Sequence, residues 1–193
     1  MTRIAIIIGS TRPGRRGGQV AAWVREAAGR HRPATDFDVL DLHDHALPHL
    51  DESTPAIFGS YEREHTLRWA EAIGSYDGFV FVVPEYNHSF PAPLKNAIDF
   101  LYAEWNDKAA GFVTYGINDG VRAAEHLRQV LAELKVATVR TQVALSIHHD
   151  FTITDPLEPG TLTPGPHQEP TLTTMLDEVV AWSEALRSVR VPA

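Results

Sequence analysis

The chain has 193 residues, a length that gives one domain or at most two small ones and is enough to bury a core around an enclosed site. Its 17 basic and 25 acidic residues leave a net charge of −8, and charged residues at 22% beside apolar ones at 44% exclude disorder, collagen and coiled coil. That charge opposes nucleic acid and anionic membranes as partners. The absence of cysteine removes disulfides, thiolate metal sites and thiol nucleophiles, so redox chemistry needs a bound cofactor.

The apolar run Ile4 to Ile8 is too short for a secretory core and ends in Gly-Ser, and no later run approaches the roughly 20 residues of a membrane span. The expected compartment is the cytoplasm. Arg3 to Ile8 reads as a strand buried on both faces, as in a parallel sheet. A helix is predicted from Gly18 to His31, where Val20, Trp23, Val24, Ala27 and Ala28 recur at helical spacing. Asp38 to Leu42 is a second strand, and Tyr61 to Ile73 a helix with Leu67, Ala70 and Ile73 on its inner side. Gly78 to Val83 is the most strand-like stretch of all.

Pro93 to Tyr102 follows as a helix with Leu94, Ala97, Ile98 and Leu101 on one face, and Gly111 to Tyr115 as a fourth strand. A helix through Val121, Ala124, Leu127, Val130, Leu131 and Leu134 precedes a fifth strand, Val136 to Leu145. The Pro- and Thr-rich stretch 154–170 is predicted to be a surface loop, and Leu172 to Leu186 a terminal helix. Alternating strands and helices over 1–193 predict a single α/β domain, a doubly wound five-stranded parallel sheet in the flavodoxin-like order 2-1-3-4-5. Ligands of such sheets bind beyond the carboxyl ends of the strands, which here means the loops after strands one, three and four.

The first of these loops, Gly9 to Gly18, gathers Arg12, Arg15, Arg16, Ser10 and Thr11 at a helix start, where backbone N–H groups and the helix dipole receive a phosphate. It is not a Walker loop, because Arg15-Arg16 stands where Lys-Ser/Thr is required, and no G-x-G-x-x-G is present. A terminal phosphate monoester, as in a mononucleotide such as FMN, remains. The third-strand loop, Pro84-Glu85-Tyr86-Asn87-His88-Ser89, is stiffened by proline and offers the fixed backbone donors that a flat heterocycle needs at its rim. Thr114-Tyr115-Gly116 closes the same cleft.

Taken together, Gly9-Ser10-Thr11-Arg12, Pro84 to Ser89 with the following Pro-Leu-Lys-Asn-Ala-Ile-Asp, and Tyr115-Gly116 resemble the NADPH-dependent FMN reductase family over about residues 3 to 145. The family also includes quinone, azo-dye and chromate reductases. The resemblance implies a flavodoxin-like fold, bound FMN, NADPH or NADH as reductant, and a homodimer or homotetramer. It places Ser10, Arg12, Arg15 and Gln19 at the phosphate, Pro84, Glu85, Tyr86 and Asn87 at the isoalloxazine and ribityl, and Tyr115 with Gly116 in a third flavin loop. Gly17, Gly18 and Gln19 stand where many members carry Ser and Asn, which shifts phosphate recognition towards arginine, and Asp119-Gly120 replaces paired glycines.

The implied function is hydride transfer from NAD(P)H to bound flavin and then to a small acceptor: free flavin, a quinone, an azo compound or a metal oxyanion. No side chain is assigned a catalytic acid or base role, since the flavin carries the chemistry. Tyr86 is the residue expected nearest the reactive ring. The other class left open is a flavodoxin-like electron carrier or flavin sensor without turnover; Phe100, Leu101, Tyr102 and Trp105, read as an apolar surface that builds a subunit interface, count against it. His43, His45 and His49 beside Asp41, Asp44 and Asp51 have metal-ligand types but read as solvated surface, and no metal is expected. His148-His149-Asp150 lies near the cleft edge as a substrate-contacting candidate. A serine hydrolase is excluded by the missing G-x-S-x-G elbow.

Overall fold

The computed structural model describes residues 1–190. Five parallel strands, β1 (Thr2–Ile8), β2 (Thr35–Asp41), β3 (Gly78–Pro84), β4 (Ala109–Gly116) and β5 (Ala137–Ser146), form one sheet in the order β2-β1-β3-β4-β5, as expected. Because successive side chains of a strand point to opposite faces, β1 feeds two cores at once. Ala5 and Ile7 join Phe79, Phe81 and Phe112 under helices α3 (Glu64–Gly74), α4 (Ala92–Asp99) and α5 (Val121–Glu133). Ile4, Ile6 and Ile8 join Val80, Val82 and Val113 under α1 (Gly17–His31) and α6 (Gln168–Leu186). Both faces of the inner strands are thus covered, which is why they read as unbroken apolar runs.

Several boundaries and faces differ from the expectation. The fully buried face of α3 is Thr66, Trp69 and Ile73, while Leu67 is turned to solvent. Trp69 wins that face because its larger ring fills the space against α4 and its indole N–H donates to Ala97 O at 2.8 Å. The apolar group Phe100, Leu101 and Trp105 is core of its own chain rather than an interface surface, with Trp105 donating to Ile98 O at 3.2 Å. Only Tyr102 is partly exposed. A short helix, α2 (Leu42–His45), capped by the Asp41 carboxylate, extends β2, and within the stretch 154–170 a two-residue strand, β7 (Thr161–Leu162), pairs antiparallel with β6 (Phe151–Thr152) just before it. No helix is long and apolar enough to cross a membrane among the described residues.

Candidate functional site

The loop after β1 folds back onto β3, where Gly9 N donates to Val82 O at 2.9 Å, and then enters α1. A Cβ at Gly17 would lie 2.9 Å from Ile8 Cγ2 and 3.1 Å from the Tyr115 hydroxyl, so only glycine lets the helix begin that close to the strand ends. The N-terminus of α1 has no side-chain cap and no acidic residue in its first turn. The N–H groups and dipole of that turn are therefore not cancelled by a capping or acidic side chain. The arginines have divided tasks. Arg15 is ion-paired with Asp41, and Arg16 holds the later loop through Nε to Pro159 O at 2.7 Å and Nη2 to Glu158 O at 3.2 Å. Arg12 is exposed, and its side chain has no hydrogen-bond or ion-pair partner among the described residues. The buried Ser10 hydroxyl lies 2.9 Å from the Tyr86 hydroxyl.

The loop after β3 is a tight two-residue turn. Tyr86 N donates to Ser89 O at 2.8 Å and Ser89 N to Tyr86 O at 3.1 Å, with Asn87 at φ 48° and His88 at φ 75° between them. Such backbone angles cost side-chain-bearing residues about 1–3 kcal/mol each unless the surroundings hold them. Helix α5 does the holding. Arg122 is ion-paired with the nearly buried Glu85 carboxylate, its N–H donates to Glu85 Oε2 at 3.3 Å, and its Nη1 donates to His88 Nδ1 at 3.1 Å. His126 Nδ1 lies 3.0 Å from Ser89 Oγ. Glu85 N also donates to Tyr115 O at 3.0 Å, joining the second loop to the third.

In the third loop Gly120, at φ 73°, starts α5, and Thr114 Oγ1 donates to Asp119 O at 2.8 Å. Tyr115 is 4% exposed and its hydroxyl has no partner among the described residues. Burial and the neighbouring Tyr86 push its pKa up against the opposing pull of Arg16, Arg15 and Arg12, so it stays a neutral donor. The loops enclose a cleft of about 370 Å³. Arg12, Arg15, Pro84, Glu85, Tyr86 and Asn87 line it, together with Tyr115 and Gly116. Ser10 sits behind Tyr86. Gln19 points elsewhere: its Nε2 donates to Gly160 O at 3.1 Å and its Oε1 accepts from Leu162 N at 2.6 Å.

Ile117, Asn118, Arg122 and Ile147 also line the cleft and were not singled out from sequence. Arg122 had a readable signal, since a carboxylate carried into a buried loop requires a cation and α5 opens with one. The histidines at 43–49, expected as solvated surface, divide: His43 is exposed, whereas His45 packs edge-on to Trp69 at 4.7 Å, where burial lowers its pKa. Among the described residues no group of three His, Cys, Asp or Glu is placed to hold a metal. Asp150 is structural, its carboxylate accepting from Ser146 N and Gly165 N at 2.8 Å each.

An uncapped helix start thus lies beside a tight turn entered through Pro84, and residues 2–150 match the NADPH-dependent FMN reductases. The chain belongs to the NADPH-dependent FMN reductase family. It is therefore an oxidoreductase that works with FMN and NAD(P)H. It is 39% identical over 160 residues to an NAD(P)H-dependent FMN reductase of Schizosaccharomyces pombe, covering 82% of this chain and 80% of that protein. With the NAD(P)H-dependent FMN reductase of Saccharomyces cerevisiae it shares 37% over 147 residues, 71% of this chain and 77% of the other. In fold it is similar to the flavoenzyme FerB, an NAD(P)H:(acceptor) oxidoreductase of Paracoccus denitrificans, with a TM-score of 0.73 at 22% identity over 96% of this chain and 98% of that one. Nothing observed favours the electron-carrier alternative.

The residues present fit FMN. Five buried side-chain atoms lack a partner among the described residues, and three of them, Tyr115 Oη, Arg15 Nε and Arg122 Nε, belong to residues lining this one cleft. Buried donors left open are rare unless a ligand completes them.

Proposed function

We propose that the cleft holds FMN with its phosphate at the loop after β1 and its ring along the Pro84–Ser89 turn, and that the enzyme passes electrons to a small planar acceptor. The convergence of unpartnered buried donors with an uncapped helix N-terminus carries this reading. FMN, when bound, supplies the ring that accepts hydride from NAD(P)H and is reoxidised by the acceptor. Arg12, the one loop arginine whose side chain is free among the described residues, binds the phosphate dianion. Arg15 and the Tyr115 hydroxyl add donors from the cleft floor, and Arg15 is held in place by Asp41. Pro84, Glu85, Tyr86 and Asn87 present a rim whose backbone is fixed by Arg122, while Gly116 lets the third loop approach closely, a Cβ there lying 3.2 Å from Glu85 Cβ. Tyr86 forms the wall nearest the ring, tethered to Ser10.

The reading includes self-association as a homodimer or homotetramer in the cytoplasm. Its support is the strap at residues 46–63, which Asn96 fastens over α4 by donating to Pro48 O at 2.7 Å and accepting from Leu50 N at 3.0 Å, and which leaves Leu50, Ile57 and Phe58 exposed. The test of the main reading is the absorption spectrum of the purified protein, with FMN added if it is colourless, followed by NADPH titration without air. Flavin absorbance that bleaches on NADPH addition is expected; failure to quench FMN fluorescence at micromolar concentration overturns it. Sedimentation at tens of micromolar tests assembly separately, a 21.4 kDa species alone counting against it.

A further inference from the structure

The flavin cleft continues beyond its own loops. A second groove, of about 460 Å³, shares Arg16, Ile117 and Ile147 with it. The rest of its wall is His148, just past the end of β5, and Phe151, Ile153 and Pro156 from the segment leading into the β6–β7 pairing. That segment is well anchored. Thr163 N donates to Asp150 O at 2.8 Å, the Asp150 carboxylate ties it to Ser146 and Gly165, and Arg16 and Gln19 grip residues 158–162 from α1. Phe151 is buried, with the Arg16 guanidinium 5.8 Å above its ring.

Five of the lining side chains are apolar, two are basic, Arg16 and His148, and none is a carboxylate. Aliphatic and proline faces suit the flat sides of an aromatic base, and a guanidinium with an imidazole at the edge suits a phosphate. The volume also lies in the range of a nucleoside-sized ligand rather than of a single ring. His148 is exposed, and its side chain makes no hydrogen bond among the described residues, so it is available to a ligand.

We propose that this groove is the subsite for the adenosine-phosphate half of NAD(P)H. The proposal rests on the flavin reading of the neighbouring cleft: a dinucleotide that brings its nicotinamide to the cleft mouth has to lay its remaining half on an adjoining surface, and this groove adjoins it. Ile117, 69% exposed, stands between the two compartments. Acceptors without an adenosine use the cleft alone. The groove therefore sets affinity for the electron donor and leaves affinity for the acceptor unchanged.

The probe is 2′,5′-ADP, added to the full-length, FMN-loaded protein and followed by calorimetry. It is expected to bind, and adenosine, which has no phosphate, to bind about tenfold more weakly. It should compete with NADPH in turnover yet leave turnover with reduced nicotinamide mononucleotide untouched, because that donor has no adenosine. His148→Asp and Pro156→Asp, both at exposed positions that the fold tolerates, each place a carboxylate in the groove and should weaken 2′,5′-ADP about tenfold. FMN affinity should stay within about twofold in both. Absence of 2′,5′-ADP binding to the flavin-loaded protein overturns the subsite, as does wild-type affinity in both variants, or inhibition of both donors alike. A wild type that takes up no FMN overturns the cleft reading itself, a result that the calorimetry arm does not mimic.

Discussion

At the N-terminal edge of the sheet charged side chains are each held by several hydrogen bonds; at the C-terminal edge three residues around the cleft keep a buried donor atom open. Asp77, just before β3, accepts from Arg3 N at 3.0 Å, Arg187 Nη2 at 2.6 Å and Arg190 Nη2 at 2.8 Å. Lys108, just before β4, is almost fully buried, which lowers its pKa to about 8, and it caps the end of α3 by donating to Ile73 O at 2.8 Å. Across the same strands, Tyr115, Arg15 and Arg122 each keep a buried donor without a partner. Ser183 Oγ, beside Gly78, is the one buried atom left open at the first edge among the described residues, against three around the cleft, and it is that concentration which suits a ligand.

The largest expected effect breaks the part of the open edge that is internally paired. Arg122→Ala leaves the Glu85 carboxylate, 6% exposed, without its cation and releases His88 from its positive φ, which should destabilise the protein by about 3 kcal/mol in urea unfolding. Next, Arg12→Ala removes the proposed charge-assisted phosphate contact of a side chain with no other partner among the described residues, so FMN affinity should fall about 10- to 100-fold with riboflavin nearly unchanged. Arg15→Ala should differ from it by also costing stability, because Asp41 loses its partner. Equal losses for FMN and riboflavin in Arg12→Ala would show that it supports the fold rather than the phosphate.

At the saturated edge the expectation concerns pH. Burial alone would raise the pKa of Asp77, but its hydrogen bonds from Arg187, the Arg3 backbone and Arg190 outweigh that and hold the carboxyl below the ordinary range. Its folded pKa is therefore below the unfolded value, so its contribution is present above about pH 4 and lost as pH falls towards the folded pKa. Asp77→Asn should be about 2 kcal/mol less stable at pH 7, and the gap to wild type should narrow between about pH 4 and pH 2 in denaturation curves. A gap that stays constant across that range would mean the carboxylate's charge is not what stabilises this edge. Smaller still, Tyr115→Phe removes a hydroxyl that has no partner among the described residues. Stability without ligand should hold or rise by up to about 1 kcal/mol while FMN affinity drops roughly tenfold. A loss of stability would mean that the hydroxyl is satisfied without the cofactor.

The sheet was legible because each buried strand is an uninterrupted apolar run and each helix carries a helical stripe, signals that are local in sequence. The cleft was legible where its residues sit in the three strand-end loops: Arg12, Pro84 to Asn87, Tyr115 and Gly116. What was not legible depends on partners far along the chain. Arg16 meets Pro159 across 143 residues, a separation that no motif encodes, and the Arg122–Glu85 pair, 37 residues apart, was signalled only by the need of a buried carboxylate for some cation. The apolar group at Phe100 to Trp105 misled for the same reason. A residue's apolarity does not say whether its own chain or another covers it, and here α3 and β3 do.

Gln19 gives the finest test of the contrast between open and saturated groups, because family resemblance put it at the phosphate and its hydrogen bonds put it elsewhere. It occupies the third position of α1, yet both ends of its amide are spent on residues 160 and 162. Gln19→Ala should therefore behave like a change at the saturated edge: about 1 kcal/mol of stability lost with two hydrogen bonds, and FMN and riboflavin affinities moving together by less than about twofold. Gln19→Glu sharpens the point. Its carboxylate still accepts from Leu162 N, loses the donation to Gly160 O, and adds a negative charge in the first helical turn, where the dipole favours it. If phosphate binds at that same turn, the new charge should weaken FMN about two- to fivefold at low salt, spare riboflavin, and lose most of this effect in 0.5 M salt. Loss of FMN affinity tenfold or more in Gln19→Ala, with riboflavin unchanged, would instead return the side chain to the phosphate and show that its bonds to the later loop yield when the cofactor arrives.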